Sequence, residues 1–212
     1  MPSTTKPTRK SETTELKILE TALDLFRNKG FDATTMREVA ANAGVATGAA
    51  YYYYPSKDAI VMALYQRTFD GMQPKIQKAL VARGGLEARM RALIRVKLEH
   101  FAPSRAVLRG ILKNGADPNH PVSPFSKEAK VFRDMEIAWF RRILEDEGVR
   151  MPGELQARMP EVLWLLHIGV MFFWIADDSP RQVNTRRLID QGMQTVTALL
   201  RLSPPSTLVE AS

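Results

Sequence analysis

The chain has 212 residues, 45% hydrophobic and 25% charged, with 30 Lys and Arg against 23 Asp and Glu for a formal net charge of +7. This composition suits a folded chain with a full core and argues against wholesale disorder. The absence of cysteine excludes disulfide scaffolds, thiolate-zinc sites and thiol catalysis. The N-terminal stretch MPSTTKPTRKSETTE has no apolar core after its basic residues, so it does not read as a signal peptide. The most apolar run, Val162 to Ala176, covers 15 residues, short of the ~20 that span a bilayer. A cytoplasmic protein with no membrane partner is expected.

Residues 1–10 carry Lys6, Arg9 and Lys10 without an acid and read as a disordered basic arm. Ile18, Leu19, Ala22, Leu23 and Phe26 recur at helical spacing and predict a first helix from Ser11, stopped by Gly30. Thr35 and Glu38 have capping-box spacing and open a short second helix that Gly44 interrupts. A third short helix runs from about Thr47 to Tyr54. Pro55 and Ser56 start a fourth, with Ile60, Leu64 and Phe69 on its apolar side.

The helices then lengthen. Leu86, Met90, Leu93 and Phe101 form a stripe that Lys97 interrupts, its long stem able to cover apolar neighbours. Pro103 and Ser104 begin another helix. The three prolines between Asn114 and Ser126 predict an irregular connection. Phe132, Met135, Trp139 and Ile143 mark the next helix, two more follow at about 160–177 and 181–202, and 203–212 reads as a disordered tail. No run alternates with period two, so the fold class is all-α.

Most of the functional information lies in the first sixty residues. Two short helices joined through Ala43-Gly44-Val45 have the arrangement of a helix-turn-helix, over about 35–55. Gly44 suits a turn that needs positive φ, Ala40 is small enough for the helix crossing, and Val45 fills the angle. The second helix of such a unit enters the major groove by its N-terminal residues, here Ala46, Thr47, Gly48 and Ala49. Tyr51 to Tyr54 follow in succession, and four consecutive positions cover a whole helix circumference. At least two phenols must face outward, where they reach phosphate oxygens. Lys57 opens the next helix, where the macrodipole disfavours a cation and a nearby phosphate would offset it.

The stretch from Thr34 to Asp58 (TTMREVAANAGVATGAAYYYYPSKD), with the preceding Ile18 to Phe31 helix, resembles the DNA-binding domain of TetR-type (TetR/AcrR) transcriptional regulators. It departs from the family pattern at Ala50, where Leu is usual, and at Tyr54, where Phe is usual. The resemblance implies a three-helix DNA-binding domain over 11–70 and a helical effector-binding and dimerisation domain over 71–202. It implies a homodimer that binds a pseudo-palindromic operator, usually to repress, and is released by a small-molecule effector. Carried over by position, Thr35 and Arg37 lie near phosphates, Thr47, Gly48 and Tyr51 toward the groove, and Tyr52, Tyr53 and Lys57 toward the backbone. The basic arm, with Arg9 and Lys10, is a candidate for the minor groove. Val122 to Ser126 (VSPFS) also resembles a stretch of some family members.

The segment Pro160 to Asp178 is apolar on every face, which predicts burial on all sides, with one side covered by a second subunit. Trp164, His167, Val170 and Phe173, with Leu188, Gly192 and Val196 of the final helix, are the candidate dimer interface. The alternative is a monomer core. His100, Phe101, Met171 and Trp174 are candidates for an effector pocket, although aromatic residues of this segment equally suit interface packing. The sequence carries no phosphate loop, metal motif or nucleophile with a base, so no enzyme, cofactor or metal is expected. The competing readings are a sequence-tolerant DNA-binding protein without an effector and a helical interaction module. Residues 71–113 hold ten basic and two acidic side chains, read as a solvated face, the alternative being attraction of an anionic effector or of flanking DNA.

Overall fold

The apolar stripes become nine α-helices in the computed structural model, which describes residues 9–202: α1 (Arg9–Lys29), α2 (Met36–Ala43), α3 (Thr47–Tyr53), α4 (Lys57–Leu80), α5 (Gly85–Phe101), α6 (Arg105–Gly115), α7 (Lys130–Asp146), α8 (Leu155–Ala176) and α9 (Val183–Leu202). Among the described residues all regular structure is helical, with short 3₁₀ turns at Ala102–Ser104 and Pro180–Gln182. Arg9 and Lys10 already belong to α1, so the backbone there is helical, whereas the rest of the basic arm and the tail lie outside the described residues. The proline-rich connection between α6 and α7 is a chain of turns. Ser123 Oγ donates to the Gly115 carbonyl (2.8 Å) and Ser126 Oγ to that of Pro121 (3.0 Å).

Two apolar clusters organise the chain. The first joins α1–α3 and the first half of α4 to Phe101, to Val107, Leu108 and Ile111 of α6, and to Met171, Trp174 and Ile175 at the end of α8. The second holds the rest of α4 with α5, α7, α8 and α9. Because α4 runs unbroken through residue 70 and contributes to both, the two parts of the chain share one rigid element.

Part of the basic surplus of residues 71–113 is engaged within the fold, while Lys75, Lys78, Arg83, Arg95 and Arg109 stay exposed. Arg89 pairs with Asp146 and Glu147, Arg91 with Glu87 and Asp190, Arg109 with Asp178, and Lys97 with Glu136. Arg105 donates to the carbonyls of Trp174 and Asp177. The arginines of α5 and α6 therefore tie these helices to the acidic ends of α7 and α8 and to α9.

α8 differs from expectation in two ways. It begins at Leu155, with Pro160 inside it, and its 22 residues are long and apolar enough to cross a membrane by length and composition. Half of that span is buried within the fold. It is not covered on all sides, however: Val162, Leu165, Leu166, Gly169 and Phe173 lie exposed along one stripe. On α9, Leu188 and Leu199 are exposed and Gly192 and Val196 half-buried.

Candidate nucleic-acid interface and internal cavity

The helix-turn-helix is built from local signals. Thr35 caps α2 by accepting from the Glu38 amide, and Glu38 accepts from the Thr35 amide at 2.9 Å. Lys29 and Thr35, as donors to Glu38, hold its carboxyl down at about 2. At the other end Gly44 takes φ +65°, with its amide on Ala41 O (3.1 Å) and the Val45 amide on Ala40 O (3.0 Å). These two bonds close a left-handed C-terminal cap. Ala40 is buried at the crossing and Val45 packs against the same cluster.

This scaffold leaves Thr35, Arg37, Ala46, Thr47, Gly48, Tyr51 and Tyr52 exposed, with Tyr52 at 82% and Tyr51 at 49%. α3 opens on Ala46 without a side-chain cap. Ala50 is fully buried, as a core position of α3. Tyr54 is buried too, and burial, reinforced by the nearby Glu15 carboxylate, pushes its phenol up to about 12. The other two expected contacts have partners inside the chain. The Tyr53 hydroxyl meets Ser11 Oγ at 3.1 Å, and its ring packs edge-on against that of Tyr52. Lys57 Nζ donates to the carbonyls of Phe31 and Asp32 and lies 4.5 Å from the centre of the Phe31 ring. The cation at the start of α4 is thus offset by carbonyl oxygens and a π-face of the same chain.

A second feature lies among helices α4 to α8: a cavity of about 100 Å³ lined by Tyr65 and Phe69 of α4, Lys97 and Phe101 of α5, Phe132, Arg133 and Glu136 of α7, and Trp164, Ile168 and Met171 of α8. Of the residues the sequence suggested for a pocket, Phe101 and Met171 line it. His100 instead contacts its own helix, Nδ1 to Val96 O at 2.9 Å, and Trp174 donates to Gln182 Oε1 at 3.2 Å. Tyr65 donates from its hydroxyl to Val122 O (3.3 Å), which joins α4 to the turn-rich connection.

Lys97, read from sequence as a stem with a solvated head, is buried to its amine and paired with Glu136. Burial pushes its ammonium below the ordinary lysine range even though Glu136 acts in the opposite direction. Glu136 also accepts from Trp164 Nε1 at 2.9 Å. Trp164 and His167 therefore face inward, not toward a partner, and Val170 is buried at 8% exposure in the second cluster. Only Phe173, Leu188, Gly192 and Val196 of the expected interface reach the surface. His167 Nδ1 has no hydrogen-bond partner, with Glu136 Oε2 at 3.8 Å, and burial, then the Lys97 charge, keeps the ring neutral. The sequence signal for this cluster was two opposite charges, each within an apolar stripe: Lys97 between Leu93 and Phe101, and Glu136 between Phe132 and Phe140.

A helix-turn-helix with an open reading face, carried on a helical domain that encloses a cavity, defines a DNA-binding transcriptional regulator. Family models agree: "Bacterial regulatory proteins, tetR family" matches residues 18–64 and "Tetracyclin repressor-like, C-terminal domain" matches residues 89–212. The chain belongs to the TetR family of transcriptional regulators. It is 29% identical over 104 residues to the HTH-type transcriptional regulator YuxN of Bacillus subtilis, covering 49% of this chain and 36% of that protein. It is 35% identical over 68 residues to the HTH-type transcriptional repressor KstR of Mycolicibacterium smegmatis, covering 32% of this chain and 33% of that one. These matches thus span about a third of each relative's length. In fold it is similar to the fatty acid degradation regulator FadR of Bacillus halodurans, with TM-score 0.66 at 17% identity over 93% of this chain and 99% of that one. It is also similar to Thermus thermophilus FadR in complex with lauroyl-CoA, with TM-score 0.62 at 24% identity over 93% and 98%.

Proposed function

We propose that this chain is a cytoplasmic, non-catalytic repressor that acts as a homodimer on a pseudo-palindromic operator and is released by a small molecule in the α4–α8 cavity. The observation that carries the reading is the exposure of Tyr51 and Tyr52 beside Thr47 and Gly48 on a unit whose core side chains, Val39, Ala40, Ala43 and Ala50, are buried. Tyrosines left exposed in the last turn of the seven-residue recognition helix suit a phosphate-lined groove. Thr35, Arg37, Tyr52, Tyr53 and Lys57 take backbone phosphates. Ala46, Thr47, Gly48 and Tyr51 meet base edges, where the small residues admit close approach.

The exposed stripe on α8 and the adjoining α9 residues supply the second subunit's seat. Pairing these two helices with their symmetry mates covers Leu165, Leu166, Phe173 and Leu199 and sets two reading heads one DNA turn apart, about 34–36 Å. Release follows from the double role of α4. Tyr65 and Phe69 form part of the cavity wall, and Lys57 holds the same helix to the loop after α1. A ligand that widens the cavity moves α4, and α3 with it, out of register with the partner's half-site. KstR is a repressor by name and Thermus FadR binds lauroyl-CoA. Both support a ligand-released repressor on this fold.

The test is selection of bound DNA from a random pool, followed by gel shifts of the selected site at two salt concentrations. A two-fold-symmetric site with at least a thousandfold preference over random DNA is expected. Affinity independent of sequence would replace this reading with a sequence-tolerant binder.

A further inference from the structure

The wall of the α4–α8 cavity carries a positive charge that no carboxylate among the described residues balances. Three charged side chains line it: Lys97, Arg133 and Glu136. Glu136 is committed at both oxygens, Oε1 to Lys97 and Oε2 to Trp164 Nε1. Arg133 donates Nη1 to the carbonyls of Pro124 (2.8 Å) and Ser126 (3.1 Å), and among the described residues no carboxylate pairs with it. Lys97 spends one of its three N–H donors on Glu136. The wall therefore holds two cations, one anion and free N–H donors facing an otherwise apolar, aromatic space. Lys97 is buried to its amine, and a buried cation gains where an anion meets it.

We infer that the cavity takes a small apolar monocarboxylate, with its carboxylate on Lys97 and Arg133 and its body among Phe69, Phe101, Trp164 and Ile168. This rests on the reading of the cavity as the effector site. Arg presents a planar fork that matches a carboxylate, and Lys97 adds a point charge already oriented by Glu136. An ammonium ligand would meet the surplus of its own sign, and a neutral alcohol would leave that surplus unbalanced. The volume of about 100 Å³ sets the size of the body. A dry cavity of about 150 Å³ accommodates benzene, so the space suits one ring or a branched chain of about six carbons, with slight widening.

The experiment is calorimetry and thermal-shift measurement on the full-length chain without DNA, using benzoate, phenylacetate and 4-methylpentanoate against benzyl alcohol and benzylamine. At least one carboxylate binds and raises the melting temperature, at least tenfold more tightly than the alcohol or the amine. R133Q lowers carboxylate affinity at least tenfold. The paired variant K97M/E136Q, which removes the cation without stranding a carboxylate, does the same. Should the paired variant fail to fold, R133Q carries the comparison, because Arg133 is only half-buried. Equal or tighter binding of the alcohol or the amine overturns the assignment, as does the absence of carboxylate binding at millimolar concentration. Because no DNA is present, failure here is distinct from failure of the effector reading. Carboxylates that bind but leave operator complexes intact in a gel shift would retire effector-driven release and keep the ligand class.

Discussion

Lys97 of α5 and Glu136 of α7, 39 residues apart in sequence, form a buried ion pair whose carboxylate also receives the indole N–H of Trp164. Removing one member strands the other in apolar surroundings, whereas removing both charges leaves nothing to compensate. Glu136→Gln is therefore expected to cost about 3–5 kcal/mol of folding stability. Adding Lys97→Met should restore most of it. Urea unfolding of both singles and the double, read as a mutant cycle, checks this. Additive losses would show that the two residues do not act as a pair.

His167 makes a pH prediction. Its ring stays neutral in the fold, with its pKa well below the ordinary value of 6.5, so the unfolded chain binds more protons below that pH. Stability from this group is fully present above about pH 6.5 and falls as the pH drops through it. Glu38 and Asp177, whose carboxyls are held low by their donors, lose their contribution only in more acidic solution. Urea midpoints between pH 7.5 and 5 should thus decline in the native chain and decline less in His167→Leu. Parallel curves would exclude His167 as the source.

Two glycines of the helix-turn-helix should respond in opposite directions. Gly44 sits at φ +65°, and the nearest atom to an added Cβ is Lys17 Nζ at an ordinary 3.6 Å, so the cost of Gly44→Ala is in the backbone, about 1–2 kcal/mol. Gly48 is helical with nothing within 4 Å of an added Cβ. Gly48→Ala should stabilise the fold by up to about 1 kcal/mol and still weaken operator binding if the proposed reading face is correct, since the added methyl would crowd the groove. Thermal melts paired with gel shifts separate the two effects. Unimpaired operator affinity in Gly48→Ala would remove that position from the reading face.

Phe173 and Val170 lie one turn apart on α8 but differ in exposure, 43% against 8%. Phe173→Asp should yield a folded, soluble monomer with much reduced operator affinity. Val170→Asp buries an unpaired carboxylate and should unfold the chain. Analytical ultracentrifugation and circular dichroism distinguish these outcomes, and a Phe173→Asp dimer of normal affinity would place the interface elsewhere.

Lys57 is engaged with the Phe31 and Asp32 carbonyls and has a further donor for phosphate. Lys57→Met should lower stability by about 1 kcal/mol and also reduce the slope of log affinity against log salt by about 1. A stability loss with an unchanged slope would assign the residue to the fold alone.

The features legible in the sequence depend on residues close together along the chain. The Thr35–Glu38 box spans one helical turn, the Gly44 cap needs one residue free of a Cβ, and the Tyr51–Tyr54 run guarantees exposed phenols by periodicity alone. Where a side chain's role depended on distant partners, the sequence pattern was ambiguous or misleading. Arg89, Arg91 and Arg109 looked solvated because acids that pair with them lie up to 99 residues away. An α8 apolar on all faces carries no periodic signal to separate the stripe that packs inward, with Trp164, His167 and Val170, from the one left open at Phe173. The sequence alone determined the all-α class and the DNA-reading unit, because short-range hydrogen bonding and helical period specify both. The cavity, its charged wall and the exposed stripe of α8 were decided by how α4, α5, α7 and α8 pack, since long-range packing sets which face of each helix is buried.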